Sequence, residues 1–272
     1  MYPVLYQFDL PQNILSFLPN SLTIFTYGFM IALGTVLAFS HTAYFAKKNY
    51  ALPLNKTADL VLLLILAAVL GGKFLFFFED PIKYFQNPQL LLEGFENGFV
   101  FFGSLLFCIP TMLIYFKKNR LPIWGMLDIM AITTCIVHMF GRVGCFFAGC
   151  CYGLPTSLPW GITFTHPQSH ARPLHTLLHP SQLYSVFSLA IITSVLWYLK
   201  TRKQFEGQLF LIYLMLYAAF RIVLEIFRGD YQRGFIFNDT VTHSQFIGLL
   251  IIFFTAFVYY AKMKKNNFIK VN

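Results

Sequence analysis

The chain has 272 residues, 57% of them hydrophobic and only 11% charged, with 33 phenylalanines. A soluble domain carries about 25% charged residues, and no soluble interior hides this much apolar surface, so an ordinary water-soluble fold is excluded. The formal charge of +9 is spread in short clusters between apolar runs rather than gathered in a patch; this excludes nucleic acid as a partner and reads as membrane orientation signals.

In chain order, the opening MYPVLYQFDLPQNILSFLPN lacks a basic segment and a small-residue cleavage site. No removable signal peptide is expected, and the first membrane helix is read as its own insertion signal. Seven apolar segments follow, at 22–45, 57–78, 98–116, 122–142, 180–199, 207–228 and 243–262, each near the length of about 20 residues that crosses a bilayer. The expected fold is therefore all-α: a polytopic membrane protein, one integral membrane domain over 1–272. The stretches AKKNYALPLNK, KKNRLP, KTRKQFE and KMKKNNFIK hold 13 of the 20 basic residues, all on one side if the spans alternate. The opposite loops hold Asp9, Glu79, Asp80, Glu93, Glu96, Asp230 and Asp239. The positive-inside rule then puts the N-terminus outside and the C-terminus in the cytoplasm. Residues 143–179 form a long outer loop between spans four and five, read as a small subdomain.

The basic residues left over are Lys73, Lys83, Arg142, Arg172, Arg221, Arg228 and Arg233. Charge inside a membrane is costly and marks a functional site by default, although Lys73 and Arg228 also fit snorkelling to headgroups. Span six reads LYAAFRIVLEIFR, placing Tyr217, Arg221, Glu225 and Arg228 at intervals of four, four and three, on one helix face. Glu225 is expected to orient Arg221 through a charge-assisted pair, leaving donors for a ligand; a purely structural ion-pair stack is the alternative. Tyr27, His179, Gln182, Tyr184, His243 and Gln245 fall at the same level, whereas Asp128 lies about 21 Å deeper than Arg142 by helix rise and reads as structural. Polar groups from five helices aimed at the outer leaflet describe a headgroup site, and two arginines suit a phosphate.

The stretch GRVGCFFAGCCYG, residues 141–153, adds Cys145, Cys150 and Cys151, with His138 upstream. These are the atom types for zinc or copper(I), but C-x4-C-C is not a standard chelate and no metal is expected. A disulfide and a plain glycine turn positioning Arg142 are the competing readings. Cys108 and Cys135 fall within spans and read as small core residues.

GRVGCFFAGCCYG, then HPSQLY, then YAAFRIVLEIFR, supported by YGFM, GGK and GFVFFG in the first three spans and SQ in the seventh, resemble the prolipoprotein diacylglyceryl transferase family. The resemblance implies a seven-span, N-out enzyme of the bacterial cytoplasmic membrane with its active site toward the periplasm. It would move diacylglyceryl from phosphatidylglycerol to the lipobox cysteine of a prolipoprotein signal peptide, without a cofactor, and release glycerol phosphate. The catalytic set it implies is Arg142, Arg221, Glu225, His179 and Tyr27. The implied substrate-binding set is Arg142, Arg221, Tyr217, Gly153 and Gln182, with Cys145 and Cys150 at positions where the family carries asparagine and glutamate. Phe102 stands where the family carries a histidine proposed as general base, so His179, His138 or the field of the arginines must take that role. The alternative is a paralogue with the same lipid-binding fold that uses its thiols for redox, metal handling or a different acceptor.

Overall fold

A computed structural model describes residues 2–9, 21–79, 81–87, 100–229, 235–236 and 240–271. The expectations placed on Asp80, Glu93, Glu96, Asp230, Arg233 and Asp239 lie outside the described residues. The helices are α1 Thr26–Tyr50, α2 Leu54–Glu79, α3 Pro81–Gln86, α4 Phe101–Lys118, α5 Ile123–Ala148, α6 Ser181–Leu199, α7 Gln208–Glu225 and α8 His243–Val271. Three short antiparallel ladders join β1 Val4–Asp9 to β2 Ser21–Phe25, β3 Ile162–Thr163 to β4 Leu177–Leu178, and β5 Phe235–Ile236 to β6 Val241–Thr242. Among the described residues, seven helices, all but α3, are long and apolar enough to cross a membrane. Phe253, Phe254 and Phe257 on α8 are exposed, as lipid-facing side chains are where the surrounding solvent is hydrocarbon. The protein is a multi-pass, helical membrane protein.

Two compact units make up the chain, Phe39–Met126 on one hand and Met1–Ala38 with Leu127–Asn272 on the other. In the first of these, α2 and α4 run antiparallel with small residues at the seam. A Cβ on Gly71 or Gly103 would overlap the other glycine's carbonyl. Beside this contact Ser104 Oγ donates to Ala68 O at 2.8 Å, and Cys108 Sγ to Leu64 O at 3.3 Å. Close backbone approach plus side-chain donors is how helices associate where hydrophobicity cannot drive them together. Phe102, at the start of α4, is 71% exposed.

In the larger unit, Ala131, Ile132 and Cys135 of α5 pack with Leu189, Ile192 and Leu196 of α6 and Leu209 and Tyr213 of α7. Helix α5 differs from its expected span, running on past Arg142 to Ala148. Its glycines do not make a turn at Arg142. They let α1 come close: a Cβ on Gly144 would stand 3.2 Å from the Tyr27 backbone, and one on Gly141 3.3 Å from Ile31. The turn comes later, with Gly149 at φ +75 and Cys151 at φ +58. Helix α7 stops at Glu225, short of Arg228. Arg228 therefore leaves the helical stripe read from the sequence and forms a β-bridge with Gly153.

The loop after α5 has a small core of its own, Phe164, Ala171 and Leu178, covered by Tyr152, Ile162 and Leu174. Backbone bonds Gly153 N to His179 O and His179 N to Leu154 O, both 2.9 Å, fasten it to the start of α6. At the other end of α5, buried Asp128 accepts from Lys203 Nζ at 3.0 Å, Gly207 N at 3.0 Å and Phe210 N at 3.1 Å. It caps the N-terminus of α7 from a neighbouring helix, satisfying donors that a helix end leaves open. Its role is structural. Asp128→Ala strands a partly buried ammonium and two amides, and is expected to lower stability by about 3–5 kcal/mol, measured as thermal unfolding in detergent. A loss below about 1 kcal/mol, the size of an ordinary cap, would show that the carboxylate does not hold the two helices.

Candidate active site

The C-terminal halves of α5 and α7 supply the charged groups. On α5, His138 and Arg142 are one turn apart, and Arg142 Nε donates to His138 Nε2 at 3.2 Å. On α7, Tyr217, Arg221 and Glu225 share a face, as a spacing of four demands. Buried Glu225 pairs with Arg221. Arg221 also donates through Nη2 to Ser244 Oγ at 3.3 Å. Ser244 is placed there by a capping box: Gln245 N donates to Thr242 Oγ1 at 3.2 Å, and Thr242 N to Gln245 Oε1 at 3.1 Å. The guanidinium is thus fixed from two helices before any ligand arrives.

These groups meet in a narrow cleft lined by His138, Arg142, Cys151, Tyr217, Arg221 and Arg228 on its polar side. Leu189, Ile192, Phe220 and Leu224 form an apolar wall, and Ser181, Ser185 and Ser188 add a row of hydroxyls. The His138 and Tyr217 rings lie 5.5 Å apart. Among the described residues that line the cleft there are three arginines and no carboxylate. Planar forks held in fixed positions bind phosphate oxygens in pairs, and the apolar wall suits the hydrocarbon end of the same molecule. The arrangement has the chemistry to receive an amphipathic anion.

The other expected residues stand around this cleft. Gly153 bridges Arg228 into place, and a Cβ there would come 2.6 Å from His179 Cβ, so a larger residue would push the bridge apart. Gln182, fully buried, donates from Nε2 to Cys150 O at 2.7 Å, and Ser181 Oγ donates to Cys151 O at 2.6 Å. The first turn of α6 thereby grips the backbone that carries both cysteines. His179 Nδ1 meets Tyr184 OH at 3.0 Å, and that hydroxyl accepts from Trp160 Nε1 at 2.8 Å; the imidazole is engaged there and not among the groups lining the cleft. Tyr27 lies against Gly144 and, like Cys145 and Cys150, does not line it.

The thiols of Cys145, Cys150 and Cys151 all lie within 4.8 Å of one another. Hydrogen bonds with Cys145 and Cys150, then the charges of Arg142 and Arg228, pull the Cys151 pKa below the usual thiol value. Cys150 is pushed the other way, by its hydrogen bonds to Cys145 and Cys151 and by burial.

Two features escaped the site residues expected from sequence. Cys151 and Arg228 line the cleft itself, through the loop turn and the bridge. The hydroxyl row of Ser181, Ser185 and Ser188 also escaped, although SQLYSVFS shows it openly as intervals of four and three on one helix face.

Comparison with known proteins gives this geometry a relation. The sequence profile of the family described as prolipoprotein diacylglyceryl transferase matches residues 13–261. A phosphatidylglycerol–prolipoprotein diacylglyceryl transferase of Clostridium tetani is 35% identical over 239 residues, covering 88% of this chain and 93% of the relative. A Clostridium perfringens protein of the same name, numbered 2, is 32% identical over 234 residues, covering 85% and 88%. A Wolbachia relative from Culex pipiens, also so named, is 28% identical over 249 residues, covering 87% and 90%. With the profile spanning most of its length and these relatives aligned over most of theirs, the chain belongs to the prolipoprotein diacylglyceryl transferase family.

Proposed function

We propose that this chain transfers the diacylglyceryl group of phosphatidylglycerol to the thiol of a prolipoprotein's lipobox cysteine. The observation that carries the reading is the convergence of Arg142, Arg221 and Arg228 on one cleft with an apolar wall, added to the names of the relatives. In the reaction the cysteine sulfur attacks the terminal glyceryl carbon. A carbon–sulfur bond forms, the carbon–oxygen bond to phosphate breaks, and glycerol phosphate leaves with the bonding pair. The thiol proton is released to solvent or to the departing phosphate.

Arg142 and Arg221 hold the phosphate, and they stabilise the charge that grows on it as the bond breaks. Glu225 and Ser244 keep Arg221 aimed, so little reorganisation is needed at that moment. The same field lowers the pKa of a thiol entering the cleft, favouring the nucleophilic thiolate. That effect takes the place of a dedicated base where Phe102 replaces the family histidine. Tyr217 lines the cleft beside His138, while His179, Gly153 and Gln182 act as positioning residues for the loop that carries Cys150 and Cys151. Tyr27, Cys145 and Cys150 support the same end of α5 from behind. Orientation follows from charge: the basic clusters at Lys47, Lys117, Lys200 and Lys262 mark the cytoplasmic side, so the N-terminus lies outside and the C-terminus inside. The cleft then opens to the outer leaflet of a bacterial cytoplasmic membrane.

The test is the full chain in vesicles of phosphatidylglycerol with a lipobox peptide, followed by mass. Wild type is expected to add one diacylglyceryl group, and Arg142→Ala or Arg221→Ala to lose at least about 100-fold in kcat/KM. No transfer by folded wild type, or full transfer by a folded arginine variant, sinks the reading. Restoring histidine with Phe102→His is expected to change transfer by less than about threefold; a gain of about 100-fold, the contribution of a general base, would show that the electrostatic account of thiolate formation is wrong.

A further inference from the structure

We infer that Cys145, Cys150 and Cys151 form a binding site for one soft, thiophilic cation, with copper(I) the preferred occupant. The spacing C-x4-C-C counted against a chelate when read along the chain. In three dimensions the count changes. Cys145 sits in the last turn of α5, and Cys150 N bonds back to Cys145 O at 3.1 Å, so one helical turn separates their side chains. The left-handed backbone of Cys151, φ +58, folds the third thiol onto the same point. All three sulfurs then lie within 4.8 Å of one another.

A cation bound in the plane of three sulfurs at about 2.3 Å sets them about 4.0 Å apart. The distances present are close enough for side-chain rotation to close the ring. Soft thiolates select copper(I) and zinc. Zinc's structural sites are tetrahedral and need a fourth protein ligand, whereas among the described residues no histidine or carboxylate joins the three thiols in the cluster. A three-coordinate all-sulfur site therefore fits copper(I) better.

Charge supports the same choice. Three thiolates around one monovalent ion leave two negative charges, and Arg142 and Arg228 line the same cleft wall as Cys151. The frame is held in place before any ion arrives: Gln182 and Ser181 fix the carbonyls of Cys150 and Cys151, and a Cβ on Gly149 would overlap Ser169 Oγ. Such supporting contacts are what tune a metal site's affinity. The cluster is neither sealed nor flat on the surface, each cysteine being half-buried, so a small ion can enter.

The site can be tested without reference to transfer activity. The full chain in detergent, with its thiols reduced, is titrated anaerobically with copper(I) against a chromogenic copper(I) chelator. One ion per chain is expected, with Cys145→Ser, Cys150→Ser and Cys151→Ser each weakening binding by at least about 10-fold. Cys108→Ser and Cys135→Ser are expected to bind as wild type does. X-ray absorption at the copper edge is expected to show only sulfur neighbours at about 2.3 Å. If a serine variant does not fold, alkylating the thiols of folded wild type must abolish binding. The inference is overturned by failure of the reduced wild type to compete with the chelator, by binding that survives the triple serine variant, or by nitrogen or oxygen neighbours at the metal. Protein isolated with two of these thiols joined as a disulfide, and binding no copper(I) after reduction, overturns it equally.

Discussion

The ion pair between Arg221 and Glu225 is the constraint on which the rest of the site depends. A carboxylate buried in a membrane helix persists as an anion only if a cation meets it, because the desolvation cost is several kcal/mol per charge. Glu225 is therefore tied to Arg221, and Arg221 in turn cannot swing to the headgroups. Ser244 closes the other side. The pair adds little net stability, since Coulomb attraction mostly offsets desolvation. What it contributes is position: a guanidinium held at the cleft wall by partners on two helices.

The second arginine is placed by a different device. Arg142 comes near the end of α5, and that end is set by how closely α1 approaches at Gly144. The third, Arg228, is delivered by the bridge to Gly153, which His179 and Phe227 crowd so tightly that only hydrogen fits. Three unrelated pieces of backbone thus bring three guanidinium groups to one cleft. Glu225 already offsets the charge of Arg221, so the excess positive charge that favours an entering anion is smaller than a count of arginines suggests.

Much of this was legible in the chain. The seven spans could be read because lipid allows no unsatisfied backbone, so each crossing must be a long apolar helix, and the segments read from sequence correspond to the seven helices. The stripe of Tyr217, Arg221 and Glu225 was legible because a helix repeats every 3.6 residues. The limits of α5 and α7 were not. Gly141 and Gly144 look like turn residues until the partner helix that needs them, contributed by Tyr27 and Ile31, is seen. Arg228 continues the helical spacing perfectly on paper, but the helix stops three residues earlier to let the strand-like bridge form. The meeting of the cysteines was hidden for a similar reason, since one positive φ at Cys151 decides it. Each miss is a place where a tertiary contact overrides a local pattern.

The thiols also bear on the balance of charge in the cleft. The family pattern that this sequence resembles places a carboxylate where Cys150 stands, and a carboxylate beside three arginines would neutralise one of them. Here no carboxylate stands at that position, and the side chain that reaches the cleft wall is Cys151, on the same face as Arg142 and Arg228. A thiol beside guanidinium groups is drawn toward its ionised form, so sulfur can offset part of their charge from the wall itself. The turn that sets this is the left-handed backbone of Cys151, fixed from α6 by Ser181, and the charge balance of the cleft is thereby tied to the geometry of one loop residue.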